Sequence, residues 1–143
     1  MKTLVIRTGE RLTIRAIAFP VGGSERDKCP TLAFFQEQAQ QRPTDVAKLG
    51  ALLTETAKSG PPHNDQKFKD LPGTDGIYEF KTSGGLRLLS FWDDGSLIIC
   101  THGYLKGSKK APKNEIQRAK RIKREYFDAK KRGELTHAET KTR

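Results

Sequence analysis

The stretch Leu86–Trp92 reads Leu-Arg-Leu-Leu-Ser-Phe-Trp, with apolar residues at positions that point to both faces of an extended strand. A strand apolar on both sides must be covered on both sides, so the chain needs a sheet with material packed above and below it. The neighbouring residues say what kind of sheet. Ser83-Gly84-Gly85 precedes the strand and Asp93-Asp94-Gly95 follows it. Both are hairpin-type turns, because glycine and aspartate reach the backbone conformations that such turns require. The flanking runs Ile77–Lys81 and Ser96–His102 therefore pair with it, and the three strands are expected as an antiparallel meander.

Helices supply the cover. Pro30 suits the first position of a helix, where its missing N–H costs nothing, and Leu32, Phe35 and Ala39 follow at helical spacing. Pro43 ends that helix, Thr44 or Asp45 can cap the next, and Val46, Leu49, Leu52, Leu53 and Ala57 form its apolar stripe up to Gly60-Pro61-Pro62. A last helix is expected from Pro112 to about Arg132, before Gly133, with a narrow stripe of Ile116, Ala119, Ile122, Tyr126 and Ala129. At the N-terminus Leu4, Ile6, Leu12, Ile14, Ala16 and Ala18 alternate with polar residues around Thr8-Gly9-Glu10, the pattern of a β-hairpin. Val21–Lys28 and residues 63–76 read as loops. The expectation is an α+β fold in one domain, residues 1–133, with 1–28 forming the N-terminal hairpin and loop. A helical hairpin and a C-terminal basic helix are expected to pack on one face of a small antiparallel sheet. Residues 134–143, almost without apolar content, are expected as a disordered tail.

Charge narrows the class of partner. The chain of 143 residues carries 27 Lys+Arg against 17 Asp+Glu, a net +10. Residues 101–143 hold 14 of those cations and 5 of the acids, so +9 of the +10 sits in the last third. Clustered cations of this kind suit a polyanion, because each phosphate they neutralise releases counterions; a solvated helix face is the plainer alternative. No apolar run nears the roughly 18 residues of a bilayer span, and Met1–Arg7 does not read as a secretory signal. Cys29 and Cys100 are expected as reduced thiols of a cytoplasmic protein.

Metal and cofactor chemistry finds no footing. His63, His102 and His137 are far apart in sequence, and neither cysteine has a partner at ligand spacing. There is no phosphate-binding loop, dinucleotide fingerprint or nucleophile elbow. Asp93 and Asp94 are turn residues. The cations around the meander carry more information. Lys81 ends one strand, Arg87 lies in the apolar central strand, and His102 ends the third, with Lys106, Lys109 and Lys110 following. Arg87 needs either a phosphate or a buried acid such as Glu79, since an unpaired buried guanidinium is costly. His102 is either a proton-transfer group or a histidine hydrogen-bonded to backbone.

The run Leu97-Ile98-Ile99-Cys100-Thr101-His102-Gly103-Tyr104-Leu105-Lys106-Gly107-Ser108-Lys109-Lys110-Ala111-Pro112 resembles a segment of phage-derived toxins in the RelE/HigB superfamily. Glu115-Ile116, Arg118-Ala119-Lys120, the strands Gly76–Lys81 and Leu86–Phe91, and Cys29-Pro30 with Ala33-Phe34-Phe35 extend the likeness over roughly residues 29–127. The resemblance implies the toxin of a type II toxin–antitoxin pair that cleaves mRNA in the ribosomal A site and inhibits translation. It implies a basic groove with Lys81, Arg87, His102 and Lys106 as catalytic residues. Lys109, Lys110, Lys113, Arg118, Arg121 and Arg124 would be the RNA-binding ones. The partners it implies are a small helix-turn-helix antitoxin, the ribosome and mRNA, with no cofactor, metal or membrane. Tyr104 and Tyr126 sit in contexts different from the late catalytic tyrosine of some members. Other members of the wider superfamily poison DNA gyrase, so the alternative is a non-catalytic inhibitor that binds a host protein or nucleic acid.

Metal-free RNA cleavage has the ribose 2′-OH attack the adjacent phosphate. It needs a base, an acid and cations on the developing charge. Arg87 suits the phosphorane because its planar fork grips two oxygens. Lys81 serves as a second clamp, or as a base if its pKa is lowered. His102 alone among these groups has an unperturbed pKa suited to neutral pH.

Overall fold

The computed structural model describes residues 1–21, 27–107 and 113–141. Its elements run β1 (Lys2–Thr8), β2 (Thr13–Ala18), α1 (Pro30–Gln41), α2 (Pro43–Ser59), β3 (Phe68–Asp70), β4 (Tyr78–Lys81), β5 (Leu86–Asp93), β6 (Leu97–Leu105), α3 (Lys113–Lys131) and β7 (Thr136–Lys141). The fold is α+β, as expected.

The seven strands form one sheet in the order β3-β4-β5-β6-β2-β1-β7. The meander β4-β5-β6 is antiparallel, and β1 and β2 form the expected hairpin. The sheet is not wholly antiparallel: β2 runs parallel to β6, and β7 runs parallel to β1. Two expectations are corrected here. Residues 63–76 are not all loop, since Phe68–Asp70 pairs with β4. The tail from residue 134 is not disordered through its described part, because Thr136–Lys141 adds to the sheet edge. Arg15 Nη1 donates to the Ala138 carbonyl at 2.8 Å and helps to hold that strand.

The helices do not share one face of the sheet as expected: α1 and α2 lie on one side and α3 on the other, because central strand β5 is apolar on both faces and needs cover on both. On one face α1 and α2 bury Leu49, Leu53 and Phe34 against Ile14, Phe80, Leu86, Leu88 and Ile98. On the other α3 buries Ala119, Ile122 and Tyr126 against Ile77, Leu89, Phe91 and Ile99. Each fully buried Leu, Ile or Phe is worth about 1.5–3 kcal/mol, so the two layers together dominate stability. The prolines behave as read: Pro30 and Pro43 each sit in the first turn of their helix. Neither Thr44 nor Asp45 caps α2, whose N-cap is Arg42. Asp45 instead accepts a hydrogen bond from Thr82 Oγ1 at 2.7 Å, tying α2 to the β4–β5 turn. Cys29 and Cys100 are buried free thiols, both pushed up in pKa by burial.

A bulge in β6 decides which side chains reach α3. Ser90 pairs with Cys100 and Leu89 with His102, leaving Thr101 as an extra residue. An extra residue exchanges the faces of everything beyond it. Cys100 therefore packs with α1 and α2, whereas His102 and Tyr104 turn to the α3 face. Gly103 turns the other way. A Cβ there would run into the Phe34 ring, so glycine is what lets α1 seat on β6.

Candidate nucleic-acid interface and active site

Three strand ends bring the predicted cations together. Lys81 pairs in register with Arg87, and Arg87 with Tyr104, so the three form a row across β4, β5 and β6 on one face. Glu79, two residues before Lys81, shares that face. Its Oε1 lies 3.1 Å from Arg87 Nε and accepts the Tyr104 hydroxyl at 3.0 Å. The Arg87 and Glu79 side chains are only 10% and 5% exposed. Arg87 Nη1 donates to the carbonyls of Thr82 at 2.8 Å and Leu86 at 3.0 Å. The Nε N–H, close to Glu79 as it is, makes no aligned hydrogen bond. Arg87 is thus a paired cation, the second of the two possibilities its sequence position raised. Burial and the Glu79 carboxylate both push the Tyr104 phenol up.

Lys81 is the more open member of the row. Its Nζ donates to the Asp65 carbonyl at 3.0 Å. Partial burial and the Arg87 guanidinium beside it hold its pKa below the ordinary lysine value, and Lys69 and Lys106 push the same way. Lys106 is anchored at the same end through its backbone N–H, which donates to the Gly85 carbonyl at 2.8 Å. Lys81, Arg87 and Lys106 are therefore gathered as expected.

His102 is near them in sequence but buried. It has no exposed surface. Its Nε2 lies 3.1 Å from Glu115 Oε1 and its Nδ1 lies 3.1 Å from Thr101 Oγ1. A carboxylate can only accept, so Nε2 carries the proton. Burial first, then the Arg118 charge, pushes the imidazole down to about 4, against the raising effect of Glu115. This corrects the expectation of a proton-transfer histidine. With no surface to meet a substrate, His102 fastens the start of α3 to the sheet.

On α3, Lys113, Arg121 and Arg124 are exposed and Arg118 is half-buried, so the helix presents a cationic outer face. Its inner face is fixed by Asp93, whose carboxylate accepts Tyr126 Oη at 2.5 Å and Lys130 Nζ at 2.8 Å. Lys109, Lys110 and Pro112, the residue expected to open the last helix, lie outside the described residues, as do residues 22–26 of the first loop. On the other side of the row opens a cleft of about 910 Å³, with Lys48, Leu52, Pro61, Lys67, Lys81 and Arg87 among its walls. Among the described residues no three His, Cys, Asp or Glu side chains are grouped to hold a metal ion. No described helix is long and apolar enough to cross a membrane.

The model of the family "Phage derived protein Gp49-like (DUF891)" matches residues 36–124, more than half of the chain. The chain belongs to the Gp49-like phage-derived family. It is a HigB/RelE-like toxin family, which supports a toxin role in general terms. No curated protein matches the chain. The Gp49-like match runs from within α1 to within α3, so it includes the Lys81–Arg87–Tyr104 row and the α2 cleft wall. The β1–β2 hairpin and β7 lie outside it. Sequence reasoning set Tyr104 aside and missed the cleft. Tyr104 was hidden because the bulge at Thr101 reverses its face. The cleft was hidden because its walls come from α2, the 60–62 linker and the β4–β5 turn, which are distant in sequence.

Proposed function

We propose that this chain is the toxin of a type II toxin–antitoxin pair and a metal-free endoribonuclease acting on mRNA at the ribosome. The observation that supports this best is the gathering of Lys81, Arg87 and Lys106 at one sheet end, open to a cleft and on the same chain as the cationic face of α3. RNA would be held along α3 by Lys113, Arg118, Arg121 and Arg124, with Lys109 and Lys110 of the preceding segment, through salt-sensitive phosphate contacts. Lys81, the open member of the row, would act as a second clamp on the phosphate or as the base that takes the 2′-OH proton. Arg87, with Lys106, would stabilise charge on the phosphorane oxygens. His102 takes no part in proton transfer. The reading implies a cytoplasmic protein held in check by a small helix-turn-helix antitoxin.

One observation favours a second reading, the non-catalytic inhibitor: Glu79 already neutralises Arg87. Induction in cells with mapping of mRNA 5′ ends separates the two. Ribonuclease action predicts new 5′ ends within translated messages from the wild-type chain and none from Lys81→Met. Growth arrest without new ends would leave only the binding reading.

A further inference from the structure

The cleft beside α2 shares Lys81 and Arg87 with the reacting row, but most of it lies beyond that row. Its volume of about 910 Å³ falls in the range of sites that enclose a small organic ligand. Ala51 and Leu52 of α2 with Pro61 and Pro62 give its lining an aliphatic floor, beside polar neighbours such as Ser59 and Gln66. Its rim is cationic: Lys48 and Lys67 stand with Lys81 and Arg87 against one carboxylate, Glu55. The cleft is also preformed. Thr82 Oγ1 holds Asp45 at 2.7 Å, and Gly84 packs so closely on that carboxylate that a Cβ would collide with it. These interactions pin α2 to the β4–β5 turn and fix the distance between the two walls.

We infer that this cleft is a nucleotide subsite, which takes one unpaired nucleotide of an RNA strand with its base on the Ala51–Leu52–Pro61 floor and its phosphate on the Lys67–Lys81 rim. The inference rests on the reading of RNA as substrate. An aliphatic floor shelters the face of any base, while backbone cations hold the strand without regard to sequence. The rim cations lead directly onto Arg87 and Lys106, as a strand of successive phosphates requires. An acidic peptide with one or two carboxylates would use only part of that track.

Fluorescence anisotropy on the full chain tests this at one fixed salt concentration. One probe is a fully 2′-O-methylated RNA hexanucleotide, which cannot be cleaved. The other is a strand of equal length whose sugars carry no bases. Sheltering roughly 60 Å² of base face corresponds to about a tenfold tighter binding of the first probe. Ala51→Glu, at an exposed helical position where glutamate is a good helix former, should keep the fold and remove most of that tenfold contrast. Equal affinity of the wild-type chain for the two probes, or a contrast untouched by Ala51→Glu, would overturn the subsite. So would displacement of the first probe by an acidic leucine-rich peptide in wild type and Ala51→Glu alike. Mapped 5′ ends with no probe contrast would sink the subsite alone. Probe contrast with no mapped ends would sink the nuclease alone.

Discussion

Replacing Arg87 separates a reacting cation from a structural one. Its guanidinium and the Glu79 carboxylate are 10% and 5% exposed and 3.1 Å apart. Arg87→Ala strips Glu79 of its counter-charge and leaves the Thr82 and Leu86 carbonyls without their donor. Breaking a buried pair by removing one member costs about 3–5 kcal/mol. Unfolding entropy of about 2.1 cal/mol/K per residue comes to roughly 0.3 kcal/mol/K for a chain of this length, so Tm should fall by about 10–17 °C. Arg87→Lys keeps a charge beside Glu79 and should recover part of that loss. It should recover little RNA cleavage, because one ammonium cannot reproduce a bidentate grip. The double variant Arg87→Met with Glu79→Leu removes both charges and should melt well above Arg87→Ala. It stays somewhat below wild type, since the Tyr104 hydroxyl loses its acceptor at a cost of about 1 kcal/mol. Thermal melts followed by circular dichroism on the four proteins, with cleavage measured on those that remain folded, complete the comparison. An Arg87→Ala protein that melts within about 3 °C of wild type would refute the buried-pair argument, and one that also cleaves fully would end the catalytic assignment.

Stability should fall as pH drops from about 6.5 to about 4, because the unfolded chain takes up the His102 proton first and the folded one resists it down to about 4. Urea midpoints at pH 7, 5.5 and 4 read this, and His102→Gln should flatten the trend; an equally steep trend in that variant would place its origin elsewhere. Burial tends to raise the Asp93 pKa, but hydrogen bonds from Lys130 and Tyr126 outweigh it and hold the carboxyl below its ordinary value. The stability it contributes is present above the ordinary carboxyl range and is lost as pH falls through the depressed value. Asp93→Asn should therefore cost about 1–2 kcal/mol at pH 7 and less below pH 3, and a constant difference at both pH values would contradict the assignment. Replacing Lys113, Arg121 and Arg124 together with Ala should lower the log–log salt slope of RNA binding by about 0.7 for each phosphate left without its cation; an unchanged slope would show that this helix face is only solvated.

Local chemistry in the sequence foretold much of the fold. Pro30, Pro43 and Gly60 mark the helical hairpin because each acts on its own backbone, and the two glycine turns mark the meander for the same reason. The strands that escaped notice owe their existence to distant partners. Phe68–Asp70 is too short for a pattern, with one buried side chain. Thr136–Lys141 has Ala138 as its one apolar residue and joins β1 largely through backbone bonds that any sequence could make. Both parallel pairings depend on where remote segments settle, which no window of the sequence records. At the site, strand ends placed Lys81, Arg87 and Lys106 correctly, and Glu79 was visible as a partner for Arg87. The burial of His102 was not visible, because Glu115 and Arg118 close over it only once α3 has docked.

The extra residue in β6 carries a consequence for how this site is encoded. The orientation of Tyr104 depends on a tally of positions between Cys100 and the strand end as much as on being tyrosine. Deleting Thr101 would make Cys100 and His102 adjacent, and plain alternation would keep His102 and Tyr104 facing α3 and Gly103 facing Phe34. Deleting Gly103 instead would draw Thr101 into the ladder; His102 would turn toward α1, and Phe34 would lose the hollow in which it sits. A frame of this kind tolerates the loss of its spare residue and not of a counted one. Comparing one-residue deletions at Thr101 and at Gly103 would expose that asymmetry directly.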